Sequence, residues 1–576
     1  MYEAGWSKRE IVVRAEGHAM QGYGMWHNRA WGHETALYAR ALYLKDTGGR
    51  ALIFCLLDLG YITHAMRMGV VEKLQALLGG DFNEEMLVLT CTHTHSGPGG
   101  CTHDAMYNIV TPGFVPAHVE AIVAATVEAV NEARNSAAAT ELTLSAGNFE
   151  EPVPVAWNRS LAAYNRNPDV VPRTKRQTHL ALDRQMPVLA LRREGKVQAL
   201  LSLFGVHATC VGNSNDRYSG DNKGYAALAA EEQLAAGGAE NPVALFAQAT
   251  AGDVSPYYQG PGDIARRARI TGDEEHRYAE RNGRFQSAQA MDILSGGAGR
   301  AIEGDIDALL TYIDFTHLKV DPRFARGRED AFTSEPCHGV AFFTGTRVDG
   351  PGMPKPIGAV AKRIARGVKR KRLNGSAKQS TADRDYYQQL YASQGPKDIL
   401  MEAGPKRVLG QPLENLMMPG FVDPLVAEMK RQAKIGAIRD SAMVPTVLPL
   451  QIVRLGPLAL LCCPGEFTTM AGKRVVQTVQ ETLQSSGVDQ VLICTYCNEY
   501  MGYVTTNEEY QEQAYEGGHT IFGQWAGAAF QTQFEALARQ LTRPAAERDY
   551  DRATRPEPAP PQELALRTDL PVPARR

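Results

Sequence analysis

Unbroken apolar runs of strand length recur along the chain, and each ends in polar or glycine-rich residues. Ala51–Leu59 carries Asp58 near its end, and Met86–Cys91 runs into THTHSGPGG. Leu200–Val206 leads to His207, and Val243–Ala247 to QATAGDVSP. Leu458–Cys463 leads to PGEFTT, and Gln490–Tyr496 to CNEYMGY. None alternates with a period of two, so they predict strands buried on both faces. Between them, Pro116–Ala133, Met470–Leu483 and Gly523–Leu541 carry apolar residues at helical spacing, the first with a proline in its opening turn. Interleaved strands and helices predict an α/β fold. Ligands in such sheets gather beyond the carboxyl ends of strands, which is where the chemically active residues of this chain fall.

Two segments break the pattern. Lys362–Arg372 (KRIARGVKRKR) is strongly basic, and residues 366–385 hold little apolar content. A surface insertion over about 362–385 is expected. From about Ala545 the chain turns rich in Pro, Arg and Glu, which predicts a poorly ordered tail over 545–576.

Composition narrows the function classes. With 61 basic and 64 acidic side chains among 576 residues, the net charge is −3, which excludes a general nucleic-acid binder. No apolar run reaches the ~20 residues of a membrane helix; the longest candidate, Val447–Cys463, is broken by Gln451, Arg454, Gly456 and Pro457. The first residues show no apolar core behind a basic start, so a cytoplasmic location is expected for the chain as written, and a secreted or periplasmic one if a leader has been removed. Nine cysteines in so long a chain do not form a disulfide scaffold, and Cys494-x-x-Cys497, without a second such pair, reads as buried thiols.

The candidate chemistry lies at the run ends. His93 and His95 stand at i and i+2, on one face if the strand continues, and the glycines after them permit a sharp turn. Metal ligation and satisfied polar histidines are both open for that pair. His207 reads as a ligand or a hydrogen-bonded core residue, Glu466 as a ligand or a helix cap, and Tyr503 as a ligand, an oxyanion donor or a packing tyrosine. Ser255, in Gly-Asp-Val-Ser-Pro, is a nucleophile, a donor or a turn serine; Arg159 anchors a substrate or pairs with a carboxylate.

The ordered set THTHSGPGG, AWNRSL, GVHATC, SGDNKGYAA, TAGDVSP, PTVLPLQ, GEFTTMAG and YVTTNEEYQEQAYEGG resembles the neutral/alkaline ceramidases, a family of zinc amidohydrolases, from about residue 17 to about 541. The resemblance implies a large mixed α/β catalytic domain over 1–544. One Zn²⁺ per chain would be held at strand C-terminal ends by His93, His207, Glu466 and Tyr503. His95 matches a second active-site histidine, Arg159 and Tyr515 match residues near the scissile amide, Ser255 matches a serine proposed as nucleophile, and Gly22 matches a loop glycine at the substrate. Departures are Tyr257, where the family has Asn, and the family's C-terminal β-sandwich, expected to be missing because the chain stops soon after the catalytic domain.

The implied activity is hydrolysis of the N-acyl amide of ceramide, or of a related N-acyl lipid, to a fatty acid and a sphingoid base or amine. Two alternatives stand beside it: an amidase for an acylated amino acid or aminolipid, and an inactive zinc-stabilised lipid-binding protein. The basic stretch 362–372 reads either as peripheral contact with anionic lipid or as a solvated charged face.

Overall fold

The apolar runs form strands because both of their faces are covered. Ala51–Leu57, Leu87–Cys91, Lys196–Leu203, Val243–Ala247, Leu458–Cys462 and Gln490–Cys494 are all strands, and nearly every residue in them is buried. The computed structural model describes residues 1–109, 111, 113–257, 268–346, 348–375, 380–416, 424–572 and 574. Helix makes up 35% and strand 24% of this mixed α/β protein.

Two sheets carry the core. The larger has the order Val243–Ala247, Lys196–Leu203, Gln185–Arg193, Ala138–Asn148, Tyr2–Glu10, Tyr38–Lys45, Ala51–Leu57, Leu87–Cys91, and the short Arg300–Ala301 pairs with Ala138–Asn148. The smaller has the order Ile306–Asp314, Val447–Leu455, Leu458–Cys462, Gln490–Cys494. They pack face to face: Leu42, Leu44, Leu52 and Phe54 of the first meet Val453, Leu455, Leu458 and Leu460 of the second. Residues of opposite parity point to helices. Ile53, Cys55 and Leu57 pack on Met66 and Val70 of helix His64–Leu78 and on Ile122 and Val130 of helix Pro116–Asn135. On the far side, Leu450, Ile452 and Leu461 pack on Val475 of helix Thr469–Leu483 and Phe530 of helix Ala526–Leu541. A helix–sheet–sheet–helix stack leaves no strand face for water, hence the missing period of two.

The larger sheet folds back on itself, so that Val243–Ala247 packs against Tyr38–Lys45 and Ala51–Leu57. The chain leaving Leu87–Cys91 thereby meets the chain leaving Lys196–Leu203, and Thr94 forms a parallel bridge with Ala208.

One expectation gains its structure and one is corrected. The basic segment expected as an insertion over 362–385 is the body of helix Lys355–Asn374 and the start of helix Thr381–Gln394, the latter anchored by buried Tyr387, Leu390 and Tyr391; residues 376–379 lie outside the described residues. The segment expected to be a poorly ordered tail is docked. Glu563 accepts from Asp440 N (2.8 Å), Ser441 N (2.9 Å) and Ser441 Oγ (2.7 Å), and the wholly buried Arg567 donates to Ala437 O (3.2 Å) and His103 O (2.6 Å). Two specific polar anchors outweigh its apolar-poor composition. Among the described residues, no helix is long and apolar enough to cross a membrane. All nine cysteines are buried and free.

Candidate metal centre

Four chain segments leave the two sheets at one end and turn inward. The strand ends at Cys91 rather than running through both histidines, and His93 takes a left-handed backbone conformation (φ 63°) that is strained for a residue with a side chain. That turn aims its imidazole inward while Nδ1 donates to Gly60 O at 2.5 Å. His207 is oriented likewise, Nδ1 donating to Val254 O at 3.0 Å. With each Nδ1 proton committed, both Nε2 atoms face the interior as acceptors. From the smaller sheet, Glu466 and Tyr503 arrive side by side, paired in parallel register. Glu466 is not a helix cap; Thr468 caps helix Thr469–Leu483 through its side chain.

These atoms converge. His207 Nε2 lies 2.9 Å and His93 Nε2 3.4 Å from Glu466 Oε2, Tyr503 Oη 3.2 Å from His207 Nε2, and His95 Nε2 3.1 Å from His93 Nε2. Ligand atoms of His93, His95 and His207 all lie within 4.8 Å of one another, a group able to hold a metal ion. His95, expected only as a second active-site histidine, is therefore as close to the convergence point as the expected ligands. Burial, then the neighbouring His93 and His207, holds His95 well below the usual histidine range; burial, then Arg159, lowers His207. Burial alone would raise the Glu466 carboxyl, but His93 and His207 outweigh it and hold it ionised. An ionised carboxylate and two imidazoles thus share one buried site, where the charge that satisfies them is supplied by protons on Nε2 or by a metal ion in their place.

Sequence reasoning missed the tyrosines that hold Glu466. Tyr496 Oη donates to Oε2 at 3.2 Å and Tyr500 Oη to Oε1 at 2.5 Å. Both stand in TYCNEYMGY, where their four-residue spacing next to a strand end was the only available signal.

Arg159 is largely engaged within the protein. It donates to Glu516 Oε1 (2.8 Å), Asp349 Oδ2 (2.6 Å), Gly252 O (2.9 Å) and Tyr503 Oη (3.0 Å), which uses four of its five N–H groups. Its influence on a bound molecule therefore passes through Tyr503. Ser255, wholly buried on strand Val254–Pro256, donates to Asp349 at 3.1 Å. Asp349 was also missed, though it stands between glycines in TGTRVDGPG; it further accepts from Thr209 Oγ1 at 2.8 Å. Tyr515 packs edge-on against Tyr503, ring centroids 5.4 Å apart, and under Arg159. Gly22 (φ 101°) lies against His95 so closely that a Cβ there would fall 2.4 Å from the imidazole. The structure thus brings together every residue singled out from the sequence.

A folded-back α/β sandwich with a histidine-, carboxylate- and tyrosine-lined pocket able to hold a metal defines the class. The chain belongs to the neutral/alkaline non-lysosomal ceramidase family, whose N-terminal pattern matches residues 2–414 and 429–532. The neutral ceramidase of Pseudomonas aeruginosa is 32% identical over 545 residues, covering 94% of this chain and 72% of the relative. That of Mycobacterium tuberculosis is 31% identical over 550 residues, 94% of this chain and 77% of the relative. Among solved structures, a ceramidase complexed with C2 superposes with a TM-score of 0.76 at 31% identity, over 94% of this chain and 75% of that one. The crystal structure of the P. aeruginosa neutral ceramidase also gives 0.76, at 30% identity over 98% of this chain and 77% of the other.

Proposed function

We propose that this chain is a zinc-dependent amidohydrolase cleaving the N-acyl amide of ceramide, or of a closely related N-acyl lipid, to a fatty acid and a sphingoid base. The observation that carries the reading is the convergence of His93, His207, Glu466 and Tyr503 from two sheets, with neighbouring donor atoms 2.9–3.4 Å apart. Separations of that order suit donor atoms gathered around one small ion at about 2.0–2.1 Å from each. The names of the relatives support ceramide as the substrate.

A single bound zinc would supply Lewis-acid polarisation of the carbonyl and a water of lowered pKa. The chain's own residues do the remaining work. Tyr503, oriented by Arg159, donates its hydroxyl to the carbonyl oxygen as negative charge develops there. His95, pressed by Gly22 and held neutral by burial, takes up the proton released by the attacking water and passes it to the departing amine. Tyr515 confines the reacting amide beside Tyr503. Ser255 acts as a hydrogen-bond donor rather than a covalent nucleophile: its proton points at Asp349, where burial would raise the carboxyl but Arg159 and then His207 hold it far below the usual carboxylate range, leaving it a poor base.

Metal analysis paired with turnover of a short-chain fluorescent ceramide tests the function: stoichiometric zinc, activity lost on chelation and restored by zinc are expected. Full activity in the metal-free protein, or faster cleavage of acylated amino acids than of ceramide, would sink it. Trapping labelled acyl chain on Ser255 would overturn the donor assignment.

A further inference from the structure

Outside the site, the helix Lys355–Asn374 has the most unusual surface chemistry. Its sequence holds eight Lys and Arg and no Asp or Glu. The seam that attaches it to the body is made of small residues, buried Gly358, Ala361 and Ala365. Beside that seam, Ile357, Val360 and Ile364 are 49%, 59% and 45% exposed. Spaced three and four apart, they share one stripe of the helix. A basic helix that is merely solvated has no use for three water-facing aliphatics in a row.

The cations divide into two groups. Arg366 is paired with Asp398 at 2.9 Å, Arg372 with Glu402, and Lys369 donates to Gly395 O at 2.8 Å. Lys355, Lys362, Arg363, Arg370 and Lys371 have no ion pair among the described residues. The first group fixes the helix to the body. Of the second, Arg363, Arg370 and Lys371 are exposed and lie on or beside the aliphatic stripe, whereas Lys355 and Lys362 fall on the opposite side of the helix. The helix also follows directly from the short hairpin of Gly345–Thr346 and Gly350–Pro351, which carries Asp349, the partner of Arg159 and Ser255.

We propose that this helix docks on a lipid bilayer bearing anionic headgroups. Ile357, Val360 and Ile364 enter the boundary between headgroups and acyl chains, and Arg363, Arg370 and Lys371 on and beside that stripe contact the anionic headgroups. A nucleic acid would leave the aliphatic stripe in water, and a second copy of the chain would bring two like-charged helices together; a bilayer satisfies both features at once. The proposal deepens the lipid-substrate reading by placing the substrate's source at the helix that follows the Asp349 hairpin, but its test requires no turnover.

Flotation with phosphatidylcholine vesicles, with and without phosphatidylglycerol, is the experiment. The wild-type chain is expected to float with the anionic vesicles and to be released by high salt. An Arg363→Glu/Arg370→Glu/Lys371→Glu variant should lose about fivefold in partitioning per residue, on the order of 100-fold in all. An Ile357→Ser/Val360→Ser/Ile364→Ser variant should lose about tenfold or more on the same vesicles. Both should keep the wild-type melting temperature and turnover of a soluble short-chain amide. Absence of wild-type flotation with anionic vesicles overturns the proposal, as does flotation unchanged in both variants. So does a concentration-dependent dimer that the serine variant abolishes while flotation stays intact. Loss of ceramide turnover with flotation preserved would count against the function alone.

Discussion

At the scale of single residues, the site is built by side chains that orient other side chains. His93 accepts a strained backbone turn so that Nε2 faces inward, Gly60 and Val254 carbonyls fix two imidazole tautomers, and Tyr496 and Tyr500 hold both oxygens of Glu466. His93→Ala, His207→Ala and Glu466→Ala are each expected to lose bound metal together with activity; stoichiometric metal in all three by elemental analysis would refute the ligand set. Gly22→Ala drives a methyl into His95 and forces an unfavourable φ. It should keep its metal while turnover falls roughly 10- to 100-fold, the cost of a displaced catalytic group. Asp349→Asn removes the charge that holds Arg159 and should lower kcat by a factor on the order of 100, with KM little changed; an unaltered kcat would show that Arg159 needs no such partner. The converging histidines and carboxylate stood out because they sit at the ends of unbroken apolar runs, while the family resemblance alone implied their role as ligands. Tyr496, Tyr500 and Asp349 did not, since a tyrosine beside a strand and an aspartate in a glycine turn look the same whether they hold a neighbour or merely fill space.

At the scale of elements, apolar continuity located the strands to within a few residues, because a doubly covered strand cannot tolerate a polar position. What it could not convey was pairing: no local pattern says that Val243–Ala247 folds back beside Ala51–Leu57. One buried cation ties elements together in a way open to titration. Lys397 donates to Cys337 O at 2.9 Å and Thr520 O at 2.7 Å, and burial pushes its pKa down from 10.5 to about 7. Between those values the unfolded chain holds a proton that the folded chain lacks. Stability should therefore rise with pH across that window, by up to about 1.4 kcal/mol per pH unit from this group. Thermal melts of the wild type and Lys397→Met from pH 7 upward check this: the wild type should gain stability relative to the variant, and parallel curves would contradict it.

At the scale of the whole molecule, composition misled only where a few contacts decide the outcome. The Pro-rich C-terminal segment is held by Glu563 and Arg567, two polar side chains that no average over the segment would single out. Removing residues 545–576 strips partners from Ser441, Ala437 and His103, at about 1–3 kcal/mol for each buried polar group left unpaired. A drop of several degrees in melting temperature is expected, and an unchanged melt would mean that the docking contributes nothing.

The site is stitched from the chain leaving both sheets: two histidines follow strands of one, and a glutamate and a tyrosine, paired with each other, follow strands of the other. An ion seated among them rivets the halves of the sandwich, so its departure and the parting of the sheets become one linked event. On the proposed metal reading, chelation is expected to lower the melting temperature together with turnover, and parallel melts with and without chelator would contradict it.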